Sequence, residues 1–493
     1  MAEPAAVFHL LLARAGDHAP ALPEGLPRSA LLAPERAPIE LAPAPLPSRA
    51  SFPSDPSFSP GGAGDQPDDL GPPPAPLWGV IAPAGPEGDR LLGLVDRLIK
   101  AREAQQRSPA RVYRVARAAT MTMTEALAWR RECYDSGADL GSDRPRFQLI
   151  LGDLDQVPLA IQQVQALDGY VGRLSFADES GYGAYVDKVL RAEARERTGR
   201  GRIVMHTARD GSVPLELGWS ALAAPGEALL RADLAQGEDA AIEILSYGAP
   251  SKPGLDLLLD RAGAPEPGVL FTLSHGLGAP FGGWSKPEDQ RAQQGAMVLG
   301  VEALLTGADV ATRAFMADGL WLMFACFGAG TPATSAYQTW LDRLHEAPGK
   351  PSGVAGSLAL GAPFIADLPQ KALANPDGPL AFIGHVDLAW TFSFRDDGDA
   401  TKGRPGRFMR VLKSALEGNP IGVALEELSA FVVQTDTALT LSYLAGDAVS
   451  DAAQIERALL WLTRQDLAGF ILLGDPAVRL PVQPLRGARP SLP

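Results

Sequence analysis

Cysteine is scarce: Cys133 and Cys326 are the only two in a chain of 493 residues. Two thiols cannot staple a chain of this length, and neither belongs to a Cys-x-x-Cys pair. A disulfide scaffold and a cysteine-rich zinc site are therefore excluded. Positive charge is in deficit, with 44 Lys+Arg against 58 Asp+Glu and a net charge of −14. Nucleic-acid binders advertise a basic patch, so nucleic acid is not an expected partner. No apolar run reaches the roughly 18 residues of a membrane span, so no membrane is expected either. The apolar stretch Ala5–Ala13 is short, interrupted by His9 and preceded by Glu3 rather than by a basic region. It reads as a first strand or a frayed end, not as a secretion signal, and the expected location is cytoplasmic. A Gly-x-Ser-x-Gly elbow, a His-Glu-x-x-His helix and an Asp-x-Asp-x-Asp-Gly calcium loop are all missing. Gly328-Ala329-Gly330-Thr331 lacks the lysine of a phosphate loop. No metal and no organic cofactor are expected.

Proline is plentiful but uneven: 16 of the 57 residues from Pro20 to Pro76 are proline. Proline donates nothing to a sheet and breaks helix interiors, so residues 1–76 are expected as a flexible N-terminal segment, with order starting at Leu77. Length predicts more than one domain, because single cores rarely grow past about 250–300 residues. After Leu77, apolar runs of strand length alternate with amphipathic stretches. Runs fall at 77–82, 111–115 and 147–151, with helices at 86–106, 123–134 and 179–197 between and after them. The pattern restarts with runs at 202–206, 241–245, 269–273, 320–325 and 380–383. Helices are expected at 253–261 and 334–345. Helical segments at 407–417, 421–444 and 451–467 follow, then a closing run at 469–473. Such alternation predicts parallel sheet flanked by helices. The divisions expected are 77–200, 201–395 and a helical part, 396–493, with a closing strand.

Two of these strands run into reactive residues. Val269–Leu273 leads to Ser274-His275-Gly276, and Trp321–Ala325 leads to Cys326-Phe327-Gly328. In α/β sheets functional groups gather beyond the carboxyl ends of parallel strands. If the two strands are neighbours, imidazole and sulfur face each other. A histidine beside a thiol supplies the thiolate and later protonates a leaving amine. The N–H groups of Gly276 and Cys326 could form an oxyanion hole. Gly328 and Gly330 would let the chain turn away from the nucleophile. Singly, a cysteine after an apolar run is a small buried hydrophobe and a strand-end histidine a core residue. Together, in His-first order and each followed by glycine, they favour a catalytic dyad.

The pair Ser274-His275-Gly276 and Ala325-Cys326-Phe327-Gly328 resembles the caspase-like cysteine peptidases of clan CD. Phe324 replaces the glutamine of the caspase signature, and the gingipain-like and bacterial CHAT-type proteases are the better match. Leu151-Gly152-Asp153, Val157-Pro158, Tyr170–Leu174 and Tyr185–Glu193 are similar to the first half of gingipain catalytic domains. Gly384–Trp390 and Leu473–Ala477 are similar to later segments of the same group. The resemblance implies a caspase-like (caspase-hemoglobinase) α/β fold: two side-by-side, mostly parallel sheets flanked by helices, with the dyad in the second. It also implies an intracellular endopeptidase acting on protein or peptide substrates through a thioester, without cofactor, in defence or regulated cell death. Such enzymes are often held by an activating or inhibitory protein partner, and the proline-rich segment could be a tether or pro-segment. Gln163 stands near where arginine-specific relatives carry an acid, so arginine specificity does not transfer. Asp387 and Trp390 are further candidates for the pocket.

Asp153 or Asp155, after the strand at 147–151, could orient the histidine, or be turn residues. His385, before Trp390 at a strand end, could line the cleft or be structural; His206, His345 and Cys133 read as structural. The alternative to an enzyme is a catalytically idle scaffold with the same fold, which would bind protein partners.

Overall fold

A computed structural model describes residues 7–27, 31, 77–116, 120–136, 144–197, 201–234, 244–247, 254–300, 303–338, 354–395, 403–444 and 450–484. In chain order the strands are β1 Val7–Phe8, β2 Leu12–Arg14, β3 Leu26–Pro27, β4 Trp78–Pro83, β5 Arg111–Val115 and β6 Phe147–Leu151. They continue with β7 Tyr170–Leu174, β8 Arg202–Thr207, β9 Ile244–Tyr247, β10 Gly268–Leu273, β11 His275–Gly278 and β12 Met297–Gly300. The last are β13 Ala303–Leu305, β14 Leu320–Phe324, β15 Gly330–Thr331, β16 Phe364–Ile365, β17 Ala381–His385 and β18 Phe470–Leu473.

Ten of these form one sheet in the order β5-β4-β6-β7-β18-β17-β14-β10-β8-β9. Every pairing is parallel except β17 with β18. This is the mostly parallel α/β architecture expected, with its two halves joined. The closing run Phe470–Leu473 is the seam: it pairs parallel with β7 and antiparallel with β17. All residues of β4, β6, β7, β8, β10, β14, β17 and β18 are buried. A sheet covered by helices on both faces needs unbroken apolar strands, which is why they read as continuous runs. The helix expected at 86–106 is two, Pro86–Leu94 and Asp96–Gln106, separated at Val95 with ψ 12°. Beyond β18, the buried Asp475 carboxylate accepts from Arg102 Nε at 2.8 Å and from Trp78 Nε1 at 2.9 Å. The C-terminal turn is thereby locked onto the first half.

Residues 7–27 overturn the expectation of a wholly flexible segment before Leu77. Leu10, Leu11, Leu12 and Ala13 are buried to within 1% of full burial. β1 pairs with β3, and β2 forms the edge of a four-stranded sheet ordered β13-β12-β11-β2. Proline density misled here because only Pro20, Pro23 and Pro27 fall in this stretch. Pro27 sits in the short strand β3, and sheet edges tolerate proline. Residues 32–76, where the linker was expected, lie outside the described residues.

Candidate active site

β10 and β14 are parallel neighbours, with Leu273 opposite Phe324. The ladder runs one step further, Ser274 N–H donating to the Phe324 carbonyl at 3.1 Å. The chain then leaves the large sheet and His275 opens β11 in the four-stranded sheet. His275 and Cys326 thus follow the carboxyl ends of adjacent strands. Gly276 packs flat on the cysteine backbone: a Cβ there would stand 1.8 Å from the Cys326 carbonyl oxygen. The turn after Cys326 falls on Phe327, φ 55°, and not on Gly328 or Gly330 as expected. A left-handed phenylalanine costs about 1–3 kcal/mol, offset by its N–H donating to the Asp387 carbonyl at 2.8 Å.

His275 is fully buried, with Nε2 3.0 Å from Ser212 Oγ and 3.6 Å from an Asp210 carboxylate oxygen. Nδ1 has no hydrogen-bond partner among the described residues. Burial pushes the imidazole pKa down to about 4, against the pull of Asp210. The Cys326 sulfur accepts from Ala389 N–H at 3.1 Å and lies 3.5 Å from the Ala389 carbonyl. Burial pushes its pKa well up, against that N–H. Both groups therefore rest uncharged. With Nε2–H directed at Ser212 or Asp210, the Nδ1 lone pair is left to receive a proton.

The N–H groups of Gly276 and Cys326 converge on a single oxygen, the carbonyl of Leu11, at 3.0 and 3.2 Å. These are the distances at which paired backbone donors hold an oxyanion.

The remaining expected residues divide. Asp153 does not orient His275. Its carboxylate accepts from the Leu154 and Ile365 amides, both at 2.7 Å, and pairs with Arg291 at 3.3 Å. The reason is the turn at Gly152, φ 105°, which folds the side chain onto its own next amide. The Asp155 charge bears on Arg173. The acid beside the histidine is Asp210, which the sequence reading missed. It follows β8, the strand adjoining β10, so the rule that found His275 applied to it equally. Gln163 and Asp387 share a cavity of about 300 Å³ with Thr334–Tyr337. Asp387 there accepts from Ser335 Oγ and from the Ala336 and Leu388 amides, and burial pushes its pKa up to about 7. Trp390 does not line this cavity. Its ring packs 5.8 Å from Tyr337, which does, and its backbone bridges Leu10. The helix expected at 334–345 falls mostly outside the described residues, and Thr334–Tyr337 are not helical.

A second acid, this one fully buried, was also missed. Asp466 accepts from Trp390 N–H at 2.8 Å and from Ser393 N–H at 2.9 Å. Burial pushes its pKa up to about 8. It fixes the 389–393 segment beside Cys326. Among the described residues no three His, Cys, Asp or Glu side chains converge as a metal site, and no helix is long and apolar enough to cross a membrane.

No family model and no curated protein matches this chain. Among solved structures it is similar to one described as a protease, at 15% identity and TM-score 0.46, covering 86% of this chain and 83% of the other. It is also similar to the Arg-specific cysteine proteinase gingipain R, at 14% identity and TM-score 0.46, covering 82% and 78%. The complex of Porphyromonas gingivalis RgpB pro- and mature domains gives 14% identity and TM-score 0.45, covering 82% and 79%.

Proposed function

We propose that this chain is a caspase-like cysteine endopeptidase acting on protein or peptide substrates, with Cys326 as nucleophile and His275 as acid and base. The observation that carries the reading is the convergence of the Gly276 and Cys326 N–H groups on one carbonyl oxygen beside the thiol. His275 takes the thiol proton and the thiolate attacks the substrate carbonyl carbon. The resulting oxyanion is held by the two N–H groups. The proton then passes from His275 to the leaving amine as the peptide bond breaks. Water, deprotonated by the same imidazole, hydrolyses the thioester and frees Cys326. Asp210 and Ser212 hold the ring in the tautomer this needs.

No step requires a metal or organic cofactor. Cys133 and Cys326 are both unpaired, which suits a reducing cytoplasm. The CHAT-type resemblance extends the proposal to a regulated bacterial effector of defence or cell death. The test is the full-length protein and its Cys326→Ala form against a diverse peptide library, read by mass spectrometry. Cleavage by the first and none by the second supports the reading. Cleavage that persists without Cys326 overturns it.

A further inference from the structure

The oxygen held by the two catalytic N–H groups belongs to this chain's own N-terminal segment, which lies through the site in extended form. Leu11 N–H donates to the Ala389 carbonyl at 3.0 Å. Thr391 N–H donates to the His9 carbonyl at 3.1 Å, and His9 N–H donates to Thr391 Oγ1 at 3.3 Å. Leu10 bridges Trp390 antiparallel. Past Leu11 the strand continues as β2, pairing parallel with β11 from Gly276–Leu12 to Gly278–Arg14. An extended peptide fixed by main-chain bonds on both sides of one carbonyl, with that carbonyl between two oxyanion donors, is bound as a substrate is bound.

Resting on the endopeptidase reading, we propose that residues 7–14 occupy the substrate cleft as a built-in competitor, with Leu11 in the position immediately before the scissile bond. The enzyme's substrate class follows: proteins presenting a large aliphatic residue, leucine above all, before the bond to be cut. The side chain there is wholly buried and apolar, and a charged residue would have to leave water to take its place.

The geometry also explains why the segment holds the cleft rather than being spent. Thiolate attack on the Leu11 carbonyl carbon forms a thioester and breaks the Leu11–Leu12 bond, the proton passing from His275 to the Leu12 amine. That amine does not diffuse away. Leu12–Arg14 stay paired with β11, Ala21 N–H bonds the Leu12 carbonyl at 2.8 Å, and Arg14 N–H bonds the Ala19 carbonyl at 2.9 Å. Held in place, the amine reattacks the thioester and restores the peptide bond. A tethered strand competes at an effective concentration on the order of millimolar, so a foreign substrate must displace it. Departure of the strand also opens the site to water, which relieves the burial that keeps Cys326 and His275 uncharged.

The test uses the full-length protein and two probes, acetyl-His-Leu-Leu aldehyde and acetyl-His-Leu-Arg aldehyde. We expect the leucine aldehyde to bind at least tenfold tighter, and amide hydrogen exchange over residues 7–14 to rise as it does. Leu11→Arg is expected to raise cleavage of added leucine peptides at least tenfold. If that variant fails to fold, the exchange measurement on the natural chain still decides. Equal binding of the arginine aldehyde, or unchanged exchange over 7–14 while an aldehyde is bound, overturns the inference and leaves the endopeptidase standing. Failure of both aldehydes to engage Cys326, with no peptide cut by the full-length protein or by Leu11→Arg, overturns the endopeptidase itself.

Discussion

Cys326 follows a strand with a histidine strand on either side. β14 lies between β10, which leads into His275, and β17, which ends in His385. Both histidines are fully buried, both are pushed by burial to a pKa of about 4, and both have a carboxylate oxygen within 3.6 Å. They differ in what their nitrogens meet. His385 has the Asp387 carbonyl 3.0 Å from Nδ1 and the Asp466 carbonyl 3.0 Å from Nε2, so both nitrogens face backbone carbonyls and the neutral ring donates to one of them. His275 has Ser212 and Asp210 on one side, and its Nδ1 has no hydrogen-bond partner among the described residues. A ring engaged at both ends ties segments together, whereas a ring engaged at one end keeps a lone pair for chemistry. Burial and pKa do not distinguish His275 from His385, and the partners of their nitrogens do.

The largest expected effect breaks this symmetry at His275. His275→Ala should lower turnover of a leucine peptide by about 10³-fold or more, since it removes both proton-transfer steps. Its cost in stability should stay near 2 kcal/mol, because one hydrogen-bonding side of the ring is already empty. His385→Ala should invert the ranking. It leaves a cavity in a close-packed region and removes the ring's contacts with two buried carbonyls, a loss of about 3–4 kcal/mol. Activity per folded molecule should fall far less than for His275→Ala. Thermal unfolding paired with single-turnover kinetics on both variants checks this. Equal activity losses would mean that the two rings are not functionally distinct.

How far the sequence was legible follows the same division. Apolar run length and glycine placement announced β10, β14 and β17, because strands buried on both faces must be continuously apolar. His275, Gly276 and Cys326 were visible as residue types at strand ends. Asp210 and Asp466 were not. Each acts through a contact between segments 65 or more positions apart, Asp210 with His275 and Asp466 with the backbone at 390 and 393. Asp466, near a helix end, carries no sign of that, and Asp210 carries only its place just after β8. The N-terminal stretch reads as a first strand or a frayed end in the sequence, but its place in the site was missed for a related reason. Its place in the site depends on backbone bonds to residues 276, 326, 389 and 391, which no local pattern in residues 7–14 records, while the proline-rich stretch behind it pointed to a linker.

A smaller effect should appear in the pH dependence of stability, and it tests the His385 side. Asp466 and Asp387 have folded pKa values raised to about 8 and about 7. A raised carboxyl pKa means that the folded state holds a proton the unfolded chain has released. Stability therefore falls as pH climbs from about 4 toward those values. Below about 6.5 the lowered histidines work in the opposite direction, and above about 7 so does buried Lys188, whose pKa burial lowers to about 7, so the clean window is pH 6.5–7. There the Asp466 share approaches one proton, about 1.4 kcal/mol per pH unit at most. Asp466→Asn should flatten urea-measured stability in that window, leaving the Asp387 share below about pH 7. An unchanged slope would show that Asp466 is already ionised in the folded protein.

The last effect concerns Asp210. Its other carboxylate oxygen accepts from the Ser212 N–H at 2.8 Å, which fixes the carboxylate against the ring. As a positioning residue it acts only through His275, and its charge raises that imidazole's affinity for a proton. Asp210→Asn keeps the shape and removes the charge, so the imidazolium that must protonate a leaving amine becomes harder to form. We expect kcat for a leucine peptide amide to fall about tenfold to a hundredfold, with KM little changed. The matching leucine ester should lose much less, because an alkoxide or phenoxide leaves with less help from a proton. A merely structural role would lower both rates together. An amide-selective loss assigns Asp210 to the proton-transfer side of the site, and His385, whose own carboxylate neighbour holds backbone, offers the control: Asp466→Asn should lower amide and ester turnover in the same proportion.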